Sequence, residues 1–162
     1  MLVHDIDAAI PRQPPRVGLL TGQDLAVAAW TWTAFGRHPM FINRAFGLME
    51  DGRLAGSIIF TEYNLFNVEM SYYAKDMPYT VFRFAARFAI QDLNVERLTI
   101  KIPRPHRRVG KGLLAIGAKV EGTLWCYYGR ERTSQNAAVQ YVLHRDALER
   151  IAGEAFRRAR MN

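Results

Sequence analysis

Two carboxylates, Glu62 and Glu69, bracket a reversal expected at Asn64-Leu65. Carboxylates so placed can take a proton from a nucleophile, directly or through one water. Downstream, Arg104-Pro105-His106-Arg107-Arg108-Val109-Gly110-Lys111 is a basic run suited to phosphate, whether of a cofactor or of nucleic acid. Stacking aromatics are not interleaved within that run, so it does not by itself indicate single-strand recognition. His106 reads as a surface helix histidine. The chain carries no Cys/His/Asp spacing for zinc, no Gly-Lys-Ser/Thr phosphate loop and no nucleophile elbow. Trp30/Trp32 and Phe82/Phe84/Phe88 read as core rather than as a ligand platform.

These groups must be positioned by one domain, since 162 residues suit a single core. Hydrophobic residues make up 49% and charged residues 23%, ordinary globular usage. No apolar run is long enough to span a bilayer, and Met1-Leu2-Val3-His4-Asp5 lacks a secretory pattern. Cys126 stands alone, which fits a reducing compartment, so a soluble cytoplasmic protein is expected. The net charge of +7 favours anionic partners: nucleic acid, a phosphate-rich cofactor or an acidic protein surface. It gathers at 104–111, 130–132 and 157–160.

Pro11, Pro14 and Pro15 predict irregular chain over residues 1–20. Thr21 is the expected N-cap of a helix over 23–35, closed by Gly36. From Ala45 the period changes to two. Asp51-Gly52 predicts a tight turn between strands 45–50 and 53–63, and a third strand, 67–74, completes an antiparallel meander. Residues 80–93 form the clearest amphipathic helix, with Val81, Phe84, Ala85 and Phe88 on one face and Arg83, Arg87 and Gln91 on another. A strand over 97–102 follows, pairing parallel to 67–74 through a right-handed crossover. A short helix over 105–116 stops at Gly117, strands 119–128 and 136–143 make a hairpin, and Asp146 caps a basic C-terminal helix over 146–162. The fold class is α/β: a mixed, mostly antiparallel central sheet with one parallel pair and flanking helices. Such a frame commonly binds a phosphate-bearing cofactor.

This order of elements resembles the GCN5-related N-acetyltransferase superfamily over roughly residues 45–148. Gly117-Ala118-Lys119-Val120-Glu121-Gly122 looks like the family's junction between last core helix and strand. Glu96-Arg97-Leu98-Thr99-Ile100 and Tyr141-Val142-Leu143-His144-Arg145 look like two of its strands. The chain is similar in character to short, divergent members encoded by bacteriophages. The resemblance implies acetyl-CoA as cofactor and an amine as acceptor. It places catalysis on Glu62, Glu69 and a tyrosine, with Tyr127, Tyr128 and Tyr141 all available and Tyr141 in the closing motif. Cofactor contacts fall on Tyr72, Tyr73, Ala74, Lys75, Thr80, Arg83, Arg108 and Lys111. The chain also departs from the pattern. Lys75-Asp76-Met77-Pro78-Tyr79-Thr80 replaces a glycine-rich pyrophosphate loop, Pro103-Arg104 replaces an asparagine after the second parallel strand, and Leu113 stands where many members have a tyrosine acid. A second reading is therefore a catalytically inactive module serving as a structural or accessory virion protein, in the host cytoplasm or the virion. A third is an enzyme directed at nucleic acid. Oligomeric state stays open.

Overall fold

The computed structural model describes residues 17–36, 42–74 and 79–153. Seven strands form one sheet. In chain order the elements are β1 (Val17–Leu20), α1 (Asp24–Phe35), β2 (Ile42–Glu50), β3 (Arg53–Thr61), β4 (Asn67–Tyr73), α2 (Tyr79–Arg87), β5 (Arg97–Pro103), α3 (Arg107–Ala115), β6 (Lys119–Leu124), β7 (Ala138–His144) and α4 (Arg145–Ala152). The spatial order is β1-β2-β3-β4-β5-β7-β6, and only β4 and β5 run parallel. The mixed sheet, the meander and the crossover thus stand as the residue pattern predicts.

Several expectations are corrected. Val17–Leu20 is an edge strand, with Val17 opposite Glu50, rather than irregular chain. The three prolines lie upstream of it, in residues 1–16, outside the described residues. Thr21 does not cap α1. Gln23 holds that position without a side-chain bond, while Asp24 Oδ1 accepts the Ala45 N–H at 2.7 Å and ties the helix to β2. Likewise Asp146 lies in the first turn of α4, where its negative charge complements the positive end of the helix dipole, and His144 precedes the helix in extended conformation. The strand predicted to reach 128 ends at Leu124, because Cys126 turns to φ 58°.

The helix predicted over 80–93 changes winding part-way. After Arg87 a π-type turn, Phe88–Asp92, widens the coil, and the Leu93 N–H donates to the Phe88 carbonyl. Phe88 there packs between Phe46 and Phe60, with ring centroids 5.0 and 4.9 Å away. Asp51 and Gly52 both take positive φ, 47° and 77°, as a two-residue hairpin between right-twisted strands requires. Gly117, at φ 100°, makes the tight passage from α3 to β6, where a Cβ would lie 2.9 Å from the Arg150 guanidinium.

Alternation divides the core in two. Phe46, Ile58, Phe60, Val68, Met70, Leu98, Ile100 and Leu143 face α2, α3 and α4. On the opposite face Val27 of α1 packs against Ala45 and Ile59, and Thr31 shares a buried 2.7 Å hydrogen bond with Ser57. That second layer covers β2 and β3 and reaches β4 through Phe35 against Tyr73, at 5.7 Å between centroids.

Candidate functional site

The parallel ladder is short. It runs from Asn67↔Arg97 to Met70↔Ile100 and stops. Both strands continue: β4 stays paired to β3 as far as Tyr73↔Ser57, and β5 stays paired to β7 as far as Pro103↔Ala138. Each strand is held by its outer neighbour while the inner ladder has ended, so the two diverge. A cleft of about 1140 Å³ opens there, floored by Met70 and Ile100 and walled by Ser71–Ala74 on one side and residues 101–103 on the other. Thr61, Glu62, Phe66, His106, Tyr127 and Tyr128 complete its rim.

The diverging parallel pair decides the comparison with known folds. The fold is that of the GCN5-related N-acetyltransferases. No protein-family model matches the sequence, and no curated protein does. Solved structures do match. The spermidine N-acetyltransferase SpeG of Vibrio cholerae superposes with TM-score 0.56 at 15% identity, over 65% of this chain and 66% of that one. A probable acetyltransferase gives TM-score 0.52 at 21% identity, over 64% and 62%. A dodecameric form of the Vibrio cholerae enzyme gives 0.55 at 15%, over 64% and 65%. In each case the match spans just under two-thirds of the other protein's length.

The site's charges are ordered by strand alternation. Glu69 and Lys101, on neighbouring strands and the same face, form an ion pair of 2.5 Å with side chains 12% and 20% exposed. The Lys101 ammonium lies 5.2 Å from the centre of the Tyr127 ring. Burial pulls the Lys101 pKa down, but the hydrogen bond and charge of Glu69, with a smaller share from Tyr127, hold it above the ordinary lysine value. Toward the start of both strands Asn67 Oδ1 accepts from Thr99 Oγ1 and Arg97 Nε, and Glu121 accepts from Arg97 and Gln140. Those two hydrogen bonds hold the Glu121 carboxyl below the usual range. Glu62 stands exposed at the rim, at φ 53° where β3 ends.

Of the residues singled out in the sequence, Glu62, Glu69, Tyr72, Tyr73 and Ala74 come together on the cleft. Others do not. Tyr141 is buried on the helix-covered face, where its hydroxyl sits so close beneath Gly110 that a Cβ there would overlap it. Arg83 reaches toward Gly153 at the end of α4, beside Arg87, whose Nε donates to the Ala152 carbonyl at 3.1 Å. Both arginines of that stripe therefore serve the α2–α4 contact. Thr80, Arg108 and Lys111 are exposed outside the lining, although His106 and Val109 from the same segment enter it. Lys75 lies outside the described residues. Leu113 is buried in the core.

Sequence reading missed Lys101. The signal was present: Arg97, Thr99 and Lys101 alternate with the apolar Leu98, Ile100 and Ile102, which puts the lysine on the open face of β5.

Proposed function

We propose that this chain is an acyl-CoA-dependent N-acyltransferase that moves an acetyl group to an amine. The observation that carries the reading is the end of the β4–β5 ladder at Met70↔Ile100, which leaves a cleft between two held strands. Acetyl-CoA supplies an activated thioester, and the wedge walled by Tyr72–Ala74 and by Ile102 and Pro103 would hold its pantetheine arm. The Tyr73 carbonyl lies beside Gly56 on the β3 side. In an extended strand successive peptides alternate, so the Tyr72 amide is directed to the β5 side, into the wedge. There it would polarise the acyl carbonyl.

Glu62 takes the proton of the attacking amine, directly or through water. It is the exposed carboxylate of the rim, whereas Glu69 is engaged by Lys101. Tyr127, on the opposite rim, gives a proton to the departing sulfur in place of the absent tyrosine of α3. Glu69 is neutralised by Lys101, and Glu62 has no ion pair among the described residues, so its charge at the rim favours a cationic amine. Calorimetric titration with acetyl-CoA tests the reading, followed by thiol release with a panel of primary amines. Absence of binding at millimolar cofactor ends it.

One observation favours the second reading, a non-catalytic accessory module of a phage particle: Leu113 occupies the acid's place and is buried in the core. Cofactor binding without thiol release for any amine supports that alternative. Sedimentation of the purified chain tests for assembly.

A further inference from the structure

The fold assembles at the end of β5 a group of side chains that the sequence scatters. Arg104 follows β5, while Trp125, Tyr127 and Arg132 belong to the loop between β6 and β7. The Arg104 and Arg132 guanidiniums lie 4.9 and 5.3 Å from the centre of the Trp125 ring, within cation–π range. Trp125 and Tyr127 are 40% and 43% exposed. Tyr127 meets Tyr128 edge-on at 4.9 Å. The basic run at 104–111, which lacks aromatics of its own, thus acquires them from the loop that begins at Trp125.

This surface is built rather than incidental. The Arg104 N–H donates to the Ala137 carbonyl at 2.9 Å, fixing the loop's exit against β5, and the Tyr128 N–H donates to the Asn136 carbonyl at 3.0 Å. Asn136 Nδ2 donates to the Glu131 carbonyl at 3.1 Å, crossing the loop from within. Gly129 leaves room for that asparagine, since a Cβ there would lie 2.5 Å from its Oδ1. Among the described residues Arg104, Arg107, Arg130 and Arg132 form no ion pair, and Glu131 is the sole carboxylate of the loop. The Arg104 and Arg132 guanidiniums at Trp125, with Arg107 and Arg130 close to them in sequence, attract a polyanion, and the exposed rings of Trp125 and Tyr127 offer faces or edges to unpaired bases. A duplex hides its bases, so the combination selects a single strand.

We propose that the Arg104–Trp125–Arg132 cluster, with Tyr127, is a binding surface for single-stranded nucleic acid at the rim of the cleft. The surface shares Tyr127 with the proposed acyl-transfer site, but Arg104, Trp125 and Arg132 have no part in that reaction, so either proposal can fail alone. The test is anisotropy of a fluorescein-labelled oligothymidylate of about 15 nucleotides, a length within known single-strand site sizes, titrated with the full chain over a range of salt. Binding should weaken with salt at a log–log slope of about −0.7 per neutralised phosphate, and replacing both Arg104 and Arg132 by Ala should reduce the slope's magnitude by about 1.4. Tyr127→Leu should lower affinity about fivefold or more while leaving the slope in place. All three positions are exposed, and circular dichroism verifies that the variants fold. The proposal is overturned by no binding at about 50 mM salt, by equal affinity of the variants, or by equal affinity for a duplex of the same length. It is also overturned if coenzyme A displaces the oligonucleotide and the Arg104/Arg132 variant loses affinity for coenzyme A, which would assign the cluster to the cofactor's phosphates.

Discussion

In β2 and β3 side chains of both parities are buried along the middle of each strand, whereas β4 buries only Val68 and Met70, both of one parity. Over β2 and β3, α1 covers the face that α2 leaves open, so Ala45 and Ile59 are as deeply enclosed as Phe46 and Phe60. Beyond Phe35 that cover ends. The same parity in β4 and β5 then carries Glu69, Ser71, Thr99 and Lys101 instead of aliphatic groups. The polar chemistry of the molecule sits where one layer is missing, and there the ladder also parts. Over β2 and β3 both faces of the sheet are packed, and the proposed chemistry lies where only one is.

The largest expected effect breaks the covered half. Phe60 is fully buried among Phe46 and Phe88, and Phe60→Ala should cost about 3–5 kcal/mol in urea denaturation. Ser71→Trp, which obstructs the open cleft, should shift stability by less than about 1 kcal/mol yet lower acetyl-CoA affinity at least about tenfold by calorimetry. Equal stability losses from the two would erase the contrast. Next in size, Gly110→Ala forces a methyl group onto the Tyr141 hydroxyl and should cost about 1–3 kcal/mol, again by denaturation, with Tyr141→Phe restoring part of it.

A similar loss, about 1–2 kcal/mol, is expected for Lys101→Met, which leaves the largely buried Glu69 carboxylate without its cation. Its pH dependence sharpens the comparison. Because the folded-state pKa of Lys101 is raised, the stabilisation is complete below the unfolded lysine value of about 10.4 and is lost as pH rises through the higher folded value. The stability gap between wild type and Lys101→Met should therefore narrow only in strong alkali. Smallest is Arg87→Met, which removes the bond to the Ala152 carbonyl and should cost about 0.5–1.5 kcal/mol, read from the thermal midpoint.

How legible this was in the sequence follows the same division. Period-two alternation and the Asp51-Gly52 turn located the meander, and the intervening helix implied the parallel crossover, because local chemistry governs both. The π-type turn at Phe88–Asp92 was not legible, since long-range packing of Phe88 against Phe46 and Phe60 accompanies it rather than any local signature. Tyr141 stood among the candidate tyrosines for a comparable reason. Its parity becomes visible only once β7 docks with Tyr141 opposite Ile100. Arg83 read as a phosphate contact because its partner, the end of α4, lies far away in the chain. Glu62 and Glu69 reach the cleft lining because they flank a strand reversal that local residues announce, whereas the 72–74 segment was singled out through the resemblance.

The last strand sits between two that precede it, β5 and β6, with Arg97 opposite His144. During synthesis on the ribosome, β5 would emerge long before the segment that covers its outer edge. Until residues 138–144 arrive, that edge offers unpaired backbone to any passing strand. Arg97 and Lys101 lie along it, and like charges of this kind discourage the same strand of another nascent chain from pairing there. Residues that later join the ion pairs of the mature cleft can thus act first as guards against misassembly.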